Sequence, residues 1–462
     1  MLKLYNQISK QKEEFIPIDS SNVTMYVCGP TVYDNIHMGN ARPLVVFDIL
    51  FRILQVLYPK VTYVRNITDV DDKIIVRAEE NKEAISTLTE RTTQSFQHSA
   101  KKINCLPPTL EPKATEYINT MQEIIQGLIN KNHAYVVNNH VLFHIASYKN
   151  YGLISGVNIE TLLSGARVEV ATFKKNPLDF TLWKPSNKES GEVGWDSPWG
   201  YGRPGWHIEC SAMSSKLLGD YFDIHGGGKD LMFPHHENEV AQSACFFNNC
   251  NSEKKTLAKY WLHNEFLMVD GQKMSKSLGN FLTLNEALDK HNGETIRLAL
   301  LSTHYRQPLD FKTESLDSCS NILEKFNAIK NQYKDVSLVD VQYNNDFISA
   351  LKDDLNTPKA LTVLHSMAST INENKDSSQL PFLLSQFLKC TALLGILQQE
   401  NSIELSLSVE EINNYIEQRI IAKTNKDFST ADNIRNFLQQ NNILIEDTKE
   451  GTSWKIKKMS QQ

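Results

Sequence analysis

The sequence predicts an α/β protein in which a parallel sheet with an inserted subdomain is followed by an α-helical bundle and a small α+β module. Three observations lead to this prediction. Strand, loop and helix units alternate along the first part of the chain, their regularity fails between about residues 111 and 200, and apolar residues recur at helical spacing after about residue 314. With 462 residues, of which 41% are apolar and 22% charged, the chain is long enough to form several cores.

The alternating units begin with the stretch NVTMYVCG, whose β-branched residues predict a strand that ends at a Gly-Pro pair. An amphipathic helix is expected next, from about Gly39 to Leu57. The stretch VTYVRNITDVDDKIIVRAEE repeats this order, and YFDIHGGGKD and WLHNEFLMVDG each predict a further strand followed by a loop. Ligands of such sheets bind at the carboxyl ends of the strands, so we expect Cys28, Thr68, His225 and the lysine-rich loop KMSKS to converge.

The remaining elements follow from changes in the pattern. The stretch GWDSPWGYGRPGWH is dense in Gly, Pro and Trp, as expected where an inserted subdomain returns to the sheet. After residue 314 the apolar spacing predicts helices, and the end of the chain combines a helix, ADNIRNFLQQNN, with two short strands around Gly451. The predicted domains are the sheet domain 1–110 with 201–268, the inserted subdomain 111–200, a lysine-loop region 269–313, the helical bundle 314–400 and the C-terminal module 401–462.

Composition and charge exclude some classes of protein and leave others open. The most apolar stretch, PLVVFDILFRILQVLY, carries Asp48 and Arg52 within a helical period, and the first residues lack the apolar core of a signal peptide. We therefore expect a cytoplasmic protein that does not span a membrane. Seven cysteines at irregular spacing argue against a disulfide framework and leave the thiols for packing, metal binding or chemistry. A net charge of −6 neither supports nor excludes an RNA partner.

A concentration of metal-binding side chains lies in the stretch FPHHENEV. A helix that begins at Pro234 would place His235 and Glu239 four residues apart on one face, with about 6 Å between their Cβ atoms. This pair can bind a cation, although a solvated polar face is the alternative interpretation. Cys28 at a strand end and Cys210 in WHIECSAM would complete a set of two sulfurs, one nitrogen and one oxygen, which suits zinc.

For the other candidate ligands a structural interpretation is favoured. Cys245 fits an apolar helical face, Cys250 is expected as an unpaired loop thiol, and Cys319 and Cys390 fall on apolar helical stripes. The full set of residues interpreted in this way is His236, Glu237, Cys245, Cys250, Cys105, Cys319 and Cys390.

Two loop sequences suggest nucleotide binding. KMSKS, from Lys273 to Ser277, has the composition of a flexible charged loop, yet it follows a strand, and its two lysines can hold a triphosphate and neutralise a leaving pyrophosphate. In CGPTVYDNIHMGN, Gly39 permits close approach of a base, and His37 lies just before a helix N-terminus, where phosphate is favoured. On its own, a His-x-Gly string is more often a buried structural histidine.

In these motifs the sequence resembles the class I aminoacyl-tRNA synthetases, whose two signatures match HMGN, which begins at His37, and KMSKS. Within that class, YVCGPTVYDNIHMGNARP, NITDVDDKI, PGWHIECSAM and DIHGGGKDLMFPHHENEVAQS are similar to the cysteinyl-tRNA synthetases, and the similarity extends to the final IEDTKEGTSWK. The resemblance implies a Rossmann-type catalytic domain and a C-terminal anticodon-binding module. It also implies ATP-dependent activation of L-cysteine and its transfer to the terminal ribose of tRNA(Cys), with one zinc ion and with Mg²⁺ on the ATP, in a monomer.

The resemblance assigns roles to individual residues. The zinc ligands would be Cys28, Cys210, His235 and Glu239. Catalysis would involve His37, Asn40, Lys273 and Lys276, and ATP would contact His37, Gly39, Asn40, Gly227, Asp230 and Lys276. The substrate cysteine would contact Thr31, Thr68, Trp206 and His225, for which caps, core packing and a satisfied strand-end histidine are the structural alternatives. The anticodon would contact Lys423, Phe428, Asp432, Arg435, Asp447 and Trp454, although the family commonly has Arg and Trp at the first two positions.

The zinc ligands would serve the selection of cysteine against serine. Zinc favours ionisation of a thiol, whose ordinary pKa is about 8.5, whereas a serine hydroxyl stays neutral. A pocket that recognises size alone separates isosteres by about 1–3 kcal/mol, while a 10⁴-fold preference requires roughly 5.5 kcal/mol. The alternatives are a ligase that transfers cysteine to a small amine, a non-catalytic RNA-binding paralogue, and a zinc hydrolase, which is disfavoured because the sequence has no His-Glu-x-x-His string.

Overall fold

The computed structural model describes residues 1–158, 174–247, 256–269, 271–274, 281–398, 409–425, 427–441, 443–448 and 451–456. The chain forms two compact units, Met1–Gln398 and Gln399–Gln462. Among the described residues, every helix is too short or too polar to cross a membrane.

A sheet of four strands lies at the centre of the first unit. In spatial order the strands are Ala258–Asn264, Phe222–Gly228, Val23–Val27 and Val61–Arg65. Every neighbouring pair is parallel, which confirms the predicted parallel sheet. The chain runs from Val23–Val27 to the strand on one side, and the strand on the other side comes much later in the sequence. This arrangement creates a topological switch point at the carboxyl end of Val23–Val27, where ligands of such sheets bind.

Three helices follow the first two strands of this sheet in the sequence. Met38–Leu57 follows Val23–Val27 and agrees with the predicted helix, and Asp72–Asn81 and Ile85–Lys102 follow the next strand. Met38–Leu57 packs against both the sheet and the helical region, and this explains why its sequence is apolar around most of the helix.

An antiparallel subdomain is inserted between the strands Val61–Arg65 and Phe222–Gly228. Its strands pair in chain order, Ala134–Val137, His140–Phe143, Phe180–Pro185 and Gly202–Pro204. The helix Ile118–Asn130 packs beside them, two short 3₁₀ turns lie at Ala114–Tyr117 and Ile145–Ser147, and the helix Trp206–Leu218 leads back to the central sheet. The predicted insertion is confirmed, and its four-stranded sheet is an addition to the prediction.

The chain after the central sheet forms a small mixed sheet and then the helical bundle. Leu267–Val269 pairs antiparallel with Gln272–Lys273 and parallel with Leu309–Phe311. The helices of this region are Leu284–Lys290, Gly293–Leu301, Thr313–Gln332, Asn345–Lys352, Thr357–Glu373 and Leu380–Leu393. Phe387, Cys390 and Leu394 recur at intervals of three and four and are buried, as an apolar helical stripe predicts. Cys319 and Cys105 are buried thiols, as expected.

A short hairpin at the N-terminus was not predicted. Lys3–Asn6 pairs with Gln11–Glu14, and the second strand is wholly polar, so it lacks the alternating pattern that identifies a strand. Two carboxylates of the bundle hold it: Asp354 accepts the backbone N–H of Tyr5 at 2.8 Å, and Asp353 accepts a hydrogen bond from Lys12 at 2.6 Å.

The second unit is a small α+β fold, as predicted. Its elements are the helices Val409–Thr424 and Phe428–Gln440 and an antiparallel hairpin of Ile443–Thr448 with Gly451–Ile456. Its core is formed by Ile412, Ile416, Ile434, Leu438 and Ile443. This unit therefore has a hydrophobic core of its own.

Candidate metal centre and nucleotide cavity

The four predicted zinc ligands meet at the switch point of the central sheet. Cys28 directly follows the strand that forms the switch point, and Cys210 lies in the helix that returns from the inserted subdomain. His235 and Glu239 lie in a helical segment formed by Met232–His236 and Glu237–Phe246, after a short turn, Lys229–Leu231. Phe233 has an extended backbone (φ −140°, ψ 131°). The backbone is helical from Pro234 onward, as the sequence predicts.

The donor atoms of these four side chains lie close together. Cys28 Sγ is 3.6 Å from Cys210 Sγ, 3.5 Å from His235 Nε2 and 3.5 Å from Glu239 Oε1. His235 Nε2 is 3.1 Å from Glu239 Oε1, and all four donor atoms lie within 4.8 Å of one another. A tetrahedral zinc ion, with bonds of about 2.0–2.3 Å, separates its ligand atoms by roughly 3.3–3.8 Å. Both the donor types and their spacing therefore fit zinc.

Burial of this cluster disfavours charge on its members. Cys210, His235 and Glu239 are each at most 1% exposed. Burial raises the pKa of the Cys28 and Cys210 thiols and lowers the pKa of His235 to about 3. Without a cation, the thiols and the imidazole are therefore neutral at pH 7. Zinc ligation needs deprotonated thiols, and a divalent cation supplies the compensating positive charge.

Two histidines and a tryptophan contact the ligands from outside the cluster. His225 Nε2 lies 2.9 Å from Glu239 Oε2, and His207 Nδ1 lies 3.1 Å from His235 Nδ1. Burial lowers the pKa of His207 to about 4, so this ring is neutral and can accept a hydrogen bond. With His235 Nε2 acting as a metal ligand, its Nδ1 would carry the proton and donate to His207. The Trp206 indole stacks on the His235 imidazole with 4.2 Å between ring centroids.

The rival ligands contact other groups. His236 Nδ1 lies 2.7 Å from His263 Nε2, the carboxylate of Glu237 accepts backbone N–H groups, and Cys245 is buried in an apolar core. Cys250 lies outside the described residues.

A second group of donors overlaps the first and includes His236, which the sequence analysis weighed as a rival ligand. It consists of Cys28, His225, His236 and Glu239, whose donor atoms also lie within 4.8 Å of one another. The two groups share Cys28 and Glu239, so they cannot each hold a separate ion with its own ligands. The first group offers two thiols and is therefore the better site for zinc.

A cavity of about 360 Å³ extends from the metal cluster to the N-terminus of the helix Met38–Leu57. Cys28 and Trp206 line it at the metal end. The other predicted site residues that line it are Thr31, His37, Gly39, Asn40 and Asp230. One cavity therefore joins the metal cluster to the residues expected to bind nucleotide.

Three other predicted site residues are not among those that line this cavity. Thr68 is 1% exposed, and its hydroxyl donates to Glu209 Oε2 at 2.9 Å. His225 is fully buried against Glu239. Gly227 packs closely against His236, because a Cβ at Gly227 would lie 2.8 Å from the His236 ring. Their contacts with cysteine or ATP remain predictions.

The described part of the lysine-rich motif lies next to the first signature motif. The backbone N–H of Met38 donates to Leu282 O at 3.0 Å, just after the lysine-rich loop. A Cβ on Gly39 would lie 2.8 Å from the His37 ring and 3.5 Å from Met274, so glycine is needed for this close approach. Lys273 ends the strand Gln272–Lys273, and Lys276 lies outside the described residues.

The predicted anticodon residues lie in the second unit. Phe428 is 63% exposed, and the Trp454 indole N–H donates to Asn413 Oδ1 at 3.2 Å. Lys423, Asp432 and Arg435 have exposed side chains on the two helices, and Asp447 belongs to the strand Ile443–Thr448.

His207 and Glu209 are site residues that the sequence reasoning missed. His207 supports the ligand His235, and Glu209 supports Thr68. His207 precedes Cys210 by three residues, and on a helix that spacing places two side chains on one face. This spacing is the signal that could have identified His207, whereas no comparable pattern marks Glu209.

Comparisons with known proteins give matches over nearly the whole chain. The family model described as the catalytic domain of class I (C) tRNA synthetases matches residues 14–321, and the DALR domain matches residues 346–398. A cysteine–tRNA ligase of Ehrlichia ruminantium (strain Gardel) is 49% identical over 455 residues, which cover 97% of this chain and 98% of the relative. The cysteine–tRNA ligase of Wolbachia pipientis subsp. Culex pipiens (strain wPip) is 48% identical over 465 residues, which cover 100% and 99%.

Solved structures with much lower identity share the fold. A LeuRS from Agrobacterium radiobacter K84 in a ternary complex has a TM-score of 0.59 at 10% identity, with 82% of this chain and 84% of that chain covered. Methionyl-tRNA synthetase from Mycobacterium tuberculosis has a TM-score of 0.52 at 13% identity, with 86% and 84% covered. Together with the family match and the full-length relatives, these findings show that the chain belongs to the cysteine–tRNA ligase family of class I tRNA synthetases.

Proposed function

We propose that this chain activates L-cysteine with ATP to form cysteinyl-adenylate and transfers the cysteinyl group to the 3′-terminal ribose of tRNA(Cys). The observation that carries the proposal is that Cys28 of the metal cluster lines the same cavity as His37, Gly39 and Asn40. The full-length relatives named cysteine–tRNA ligase support the reaction. The C-terminal unit, with the exposed ring of Phe428, favours tRNA over a small amine as the acceptor.

In the activation step, the cysteine carboxylate attacks the α-phosphate of ATP, and pyrophosphate leaves. His37 and Asn40 lie at the N-terminus of the helix Met38–Leu57, where backbone N–H groups and the helix dipole favour phosphate. We assign Lys273 and Lys276 to the charge that develops on pyrophosphate, with Mg²⁺ as the counter-ion of ATP. Asp230, Gly39 and Gly227 would then contact the nucleoside. The chain's contribution to this step is position and charge.

In the transfer step, a hydroxyl of the terminal ribose attacks the carbonyl carbon of the adenylate, and AMP leaves. The class rule assigns the 2′-hydroxyl to this attack. Thr31 and Trp206 line the cavity beside the metal cluster and would hold the cysteinyl group during transfer. Thr68 would contribute through Thr31, with which its backbone pairs. His225 would contribute through Glu239, which it contacts.

We further propose that Cys28, Cys210, His235 and Glu239 hold one zinc ion. When bound there, zinc supplies a soft Lewis acid that favours the ionised thiol of cysteine over the neutral hydroxyl of serine. Trp206 stacks on His235 and lines the cavity beside the cluster, where its indole would cover part of the bound side chain. We also propose that the protein is a cytoplasmic monomer. Light scattering would establish its oligomeric state.

Cysteine-dependent exchange of pyrophosphate into ATP tests the reaction. The expected result is exchange with cysteine, exchange at least ~10⁴-fold weaker with serine, and one zinc per chain in the same sample. Exchange with equal efficiency for the two amino acids would contradict the zinc-based selection. Charging of purified tRNA(Cys) separates this function from that of a ligase for small amines, which would activate cysteine and leave the tRNA uncharged.

A further inference from the structure

Glu237 is a buried carboxylate for which the proposed reaction has no use. It is fully buried at the start of the helix that carries Glu239. Its Oε1 accepts the backbone N–H groups of residues 152 and 153 at 2.8 and 3.0 Å, and its Oε2 accepts those of residues 154 and 155 at 3.1 and 2.9 Å. The Ser155 hydroxyl adds a fifth hydrogen bond at 2.9 Å. We call residues 151–156 of the inserted subdomain the amide loop.

The amide loop has the backbone of an anion-binding turn. Gly152 and Gly156 have φ angles of +100° and +73°, which L side chains rarely adopt. A Cβ at Gly152 would lie only 2.2 Å from Val157 O, so this position has no room for a side chain. Consecutive N–H groups that point into one concave turn bind anions, and here the anion is Glu237.

A second contact joins the amide loop to the same helix. The Tyr151 hydroxyl donates to Asn238 Oδ1 at 2.5 Å, and both side chains are buried. Glu237 and Asn238 are consecutive residues that lie between His235 and Glu239 in the sequence. The inserted subdomain therefore holds the turn of helix that separates two candidate metal ligands.

We propose that Glu237 is a positioning residue of the metal site: held by the amide loop, it fixes the rotation of the helix that presents His235 and Glu239 and so controls metal affinity and the selection of cysteine. The inference rests on the proposed zinc-binding function of the cluster. Glutamine at this position would remove the charge from five charge-assisted hydrogen bonds and would point an NH₂ donor at backbone N–H groups. The helix start would then shift away from the loop.

Glu237→Gln is the first variant to measure. We expect zinc affinity to fall by about 10–100-fold, the range found when groups that orient metal ligands are removed. In protein reconstituted with Co²⁺, the visible absorption bands of the tetrahedral thiolate site should shift or weaken. The KM for cysteine should rise while the KM for ATP stays at the wild-type value, because the nucleotide end of the cavity is untouched.

Asp179→Asn is the matched control. Asp179 is also a buried carboxylate of the inserted subdomain, and it accepts the N–H groups of Ile145 and Asn176 at 3.0 and 3.1 Å and the Tyr135 hydroxyl at 2.8 Å. All of these partners belong to the subdomain itself. Its loss should lower the melting temperature and leave the zinc affinity and the Co²⁺ spectrum unchanged. Equal damage to the metal site in both variants would overturn the inference, because general loosening of the subdomain would then explain both.

Tyr151→Phe keeps the test decisive if Glu237→Gln does not fold. This variant removes only the hydroxyl that contacts Asn238, and it should change the Co²⁺ spectrum in the same direction to a smaller degree. A folded Glu237→Gln protein, or in its absence a Tyr151→Phe protein, with the zinc dissociation rate and spectrum of the wild type would refute the positioning role. Failure of the proposed function is a different result, since the wild-type protein would then lack stoichiometric zinc or fail to discriminate against serine.

Discussion

At the scale of single residues, Cys210 and Cys245 provide a matched comparison. Both thiols are buried, but Cys210 Sγ lies 3.6 Å from Cys28 Sγ, whereas Cys245 packs in an apolar core. We expect Cys210→Ala to lose zinc and at least ~100-fold of cysteine-dependent exchange, and Cys245→Ala to keep both at a cost of about 1 kcal/mol in stability. Zinc per chain, measured with a chromophoric chelator, checks this. A Cys210→Ala protein with a full equivalent of tightly bound zinc would show that the ion binds elsewhere.

Gly39 provides a second residue-scale prediction, at the nucleotide end of the cavity. In Gly39→Ala, the new methyl group would lie 2.8 Å from the His37 ring and displace it. A displacement of about 1 Å at a catalytic group can cost ~100-fold in rate. We expect pyrophosphate exchange to fall by about that factor, with zinc content and melting temperature close to wild type. Unchanged exchange kinetics would show that the position of His37 does not matter for the reaction.

Some of the single residues of the site could be predicted from the sequence, and others could not. The types and spacing of Cys28, Cys210, His235 and Glu239 predicted a cluster that the structure brings together. The contacts of His225 could not be predicted, because the sequence does not reveal which face of a buried strand a histidine occupies. His225 lies against Glu239 and stacks on Trp261, 4.2 Å between centroids, so it supports a ligand in the structure.

At the scale of elements, a buried ion pair joins the first long helix to the helical region. The guanidinium of Arg297 is fully buried and donates to Asp48, to Ile103 O at 3.0 Å and to Leu394 O at 2.5 Å. Asp48 therefore lies inside an apolar helix because a cation from another helix meets it there. The apolar periodicity predicted the helix correctly, but it contains no information about this partner.

Arg297→Met tests this pair. The substitution leaves Asp48 buried with less compensation and should destabilise the first unit by about 3–5 kcal/mol. Arg52→Met is the matched control, because Arg52 also donates to Asp48, at 2.7 Å, but has a partly exposed side chain and leaves the buried pair intact. Its cost should be clearly smaller. Urea unfolding followed by tryptophan fluorescence measures the free energy of unfolding of both variants. Equal losses would show that the buried Arg297 stabilises the protein no more than the partly exposed Arg52 does.

At the scale of the whole molecule, the topology of the parallel sheet explains why distant motifs converge. Cys28 and Cys210 are 182 positions apart in the sequence, yet they meet because Cys28 directly follows the strand at the switch point and Cys210 lies in the helix that returns from the insertion. Alternation of strands and helices was sufficient to predict this edge of the sheet. It was not sufficient to predict the amide loop, which has two positive φ angles and directs four backbone N–H groups at Glu237.

The division into two units leads to the last prediction, which concerns a chain that ends at Gln398. The first unit contains the metal cluster, the cavity and their supporting cores, while the second has a separate core around Ile416 and Leu438. The shortened chain should fold and exchange pyrophosphate with cysteine at the rate of the full chain. Its KM for tRNA(Cys) should rise by at least about tenfold, which corresponds to the loss of about 1.4 kcal/mol of binding. Wild-type charging by the shortened chain would mean that residues such as Phe428 and Trp454 do not contribute to tRNA binding, and a loss of exchange would mean that the first unit depends on the second for its structure.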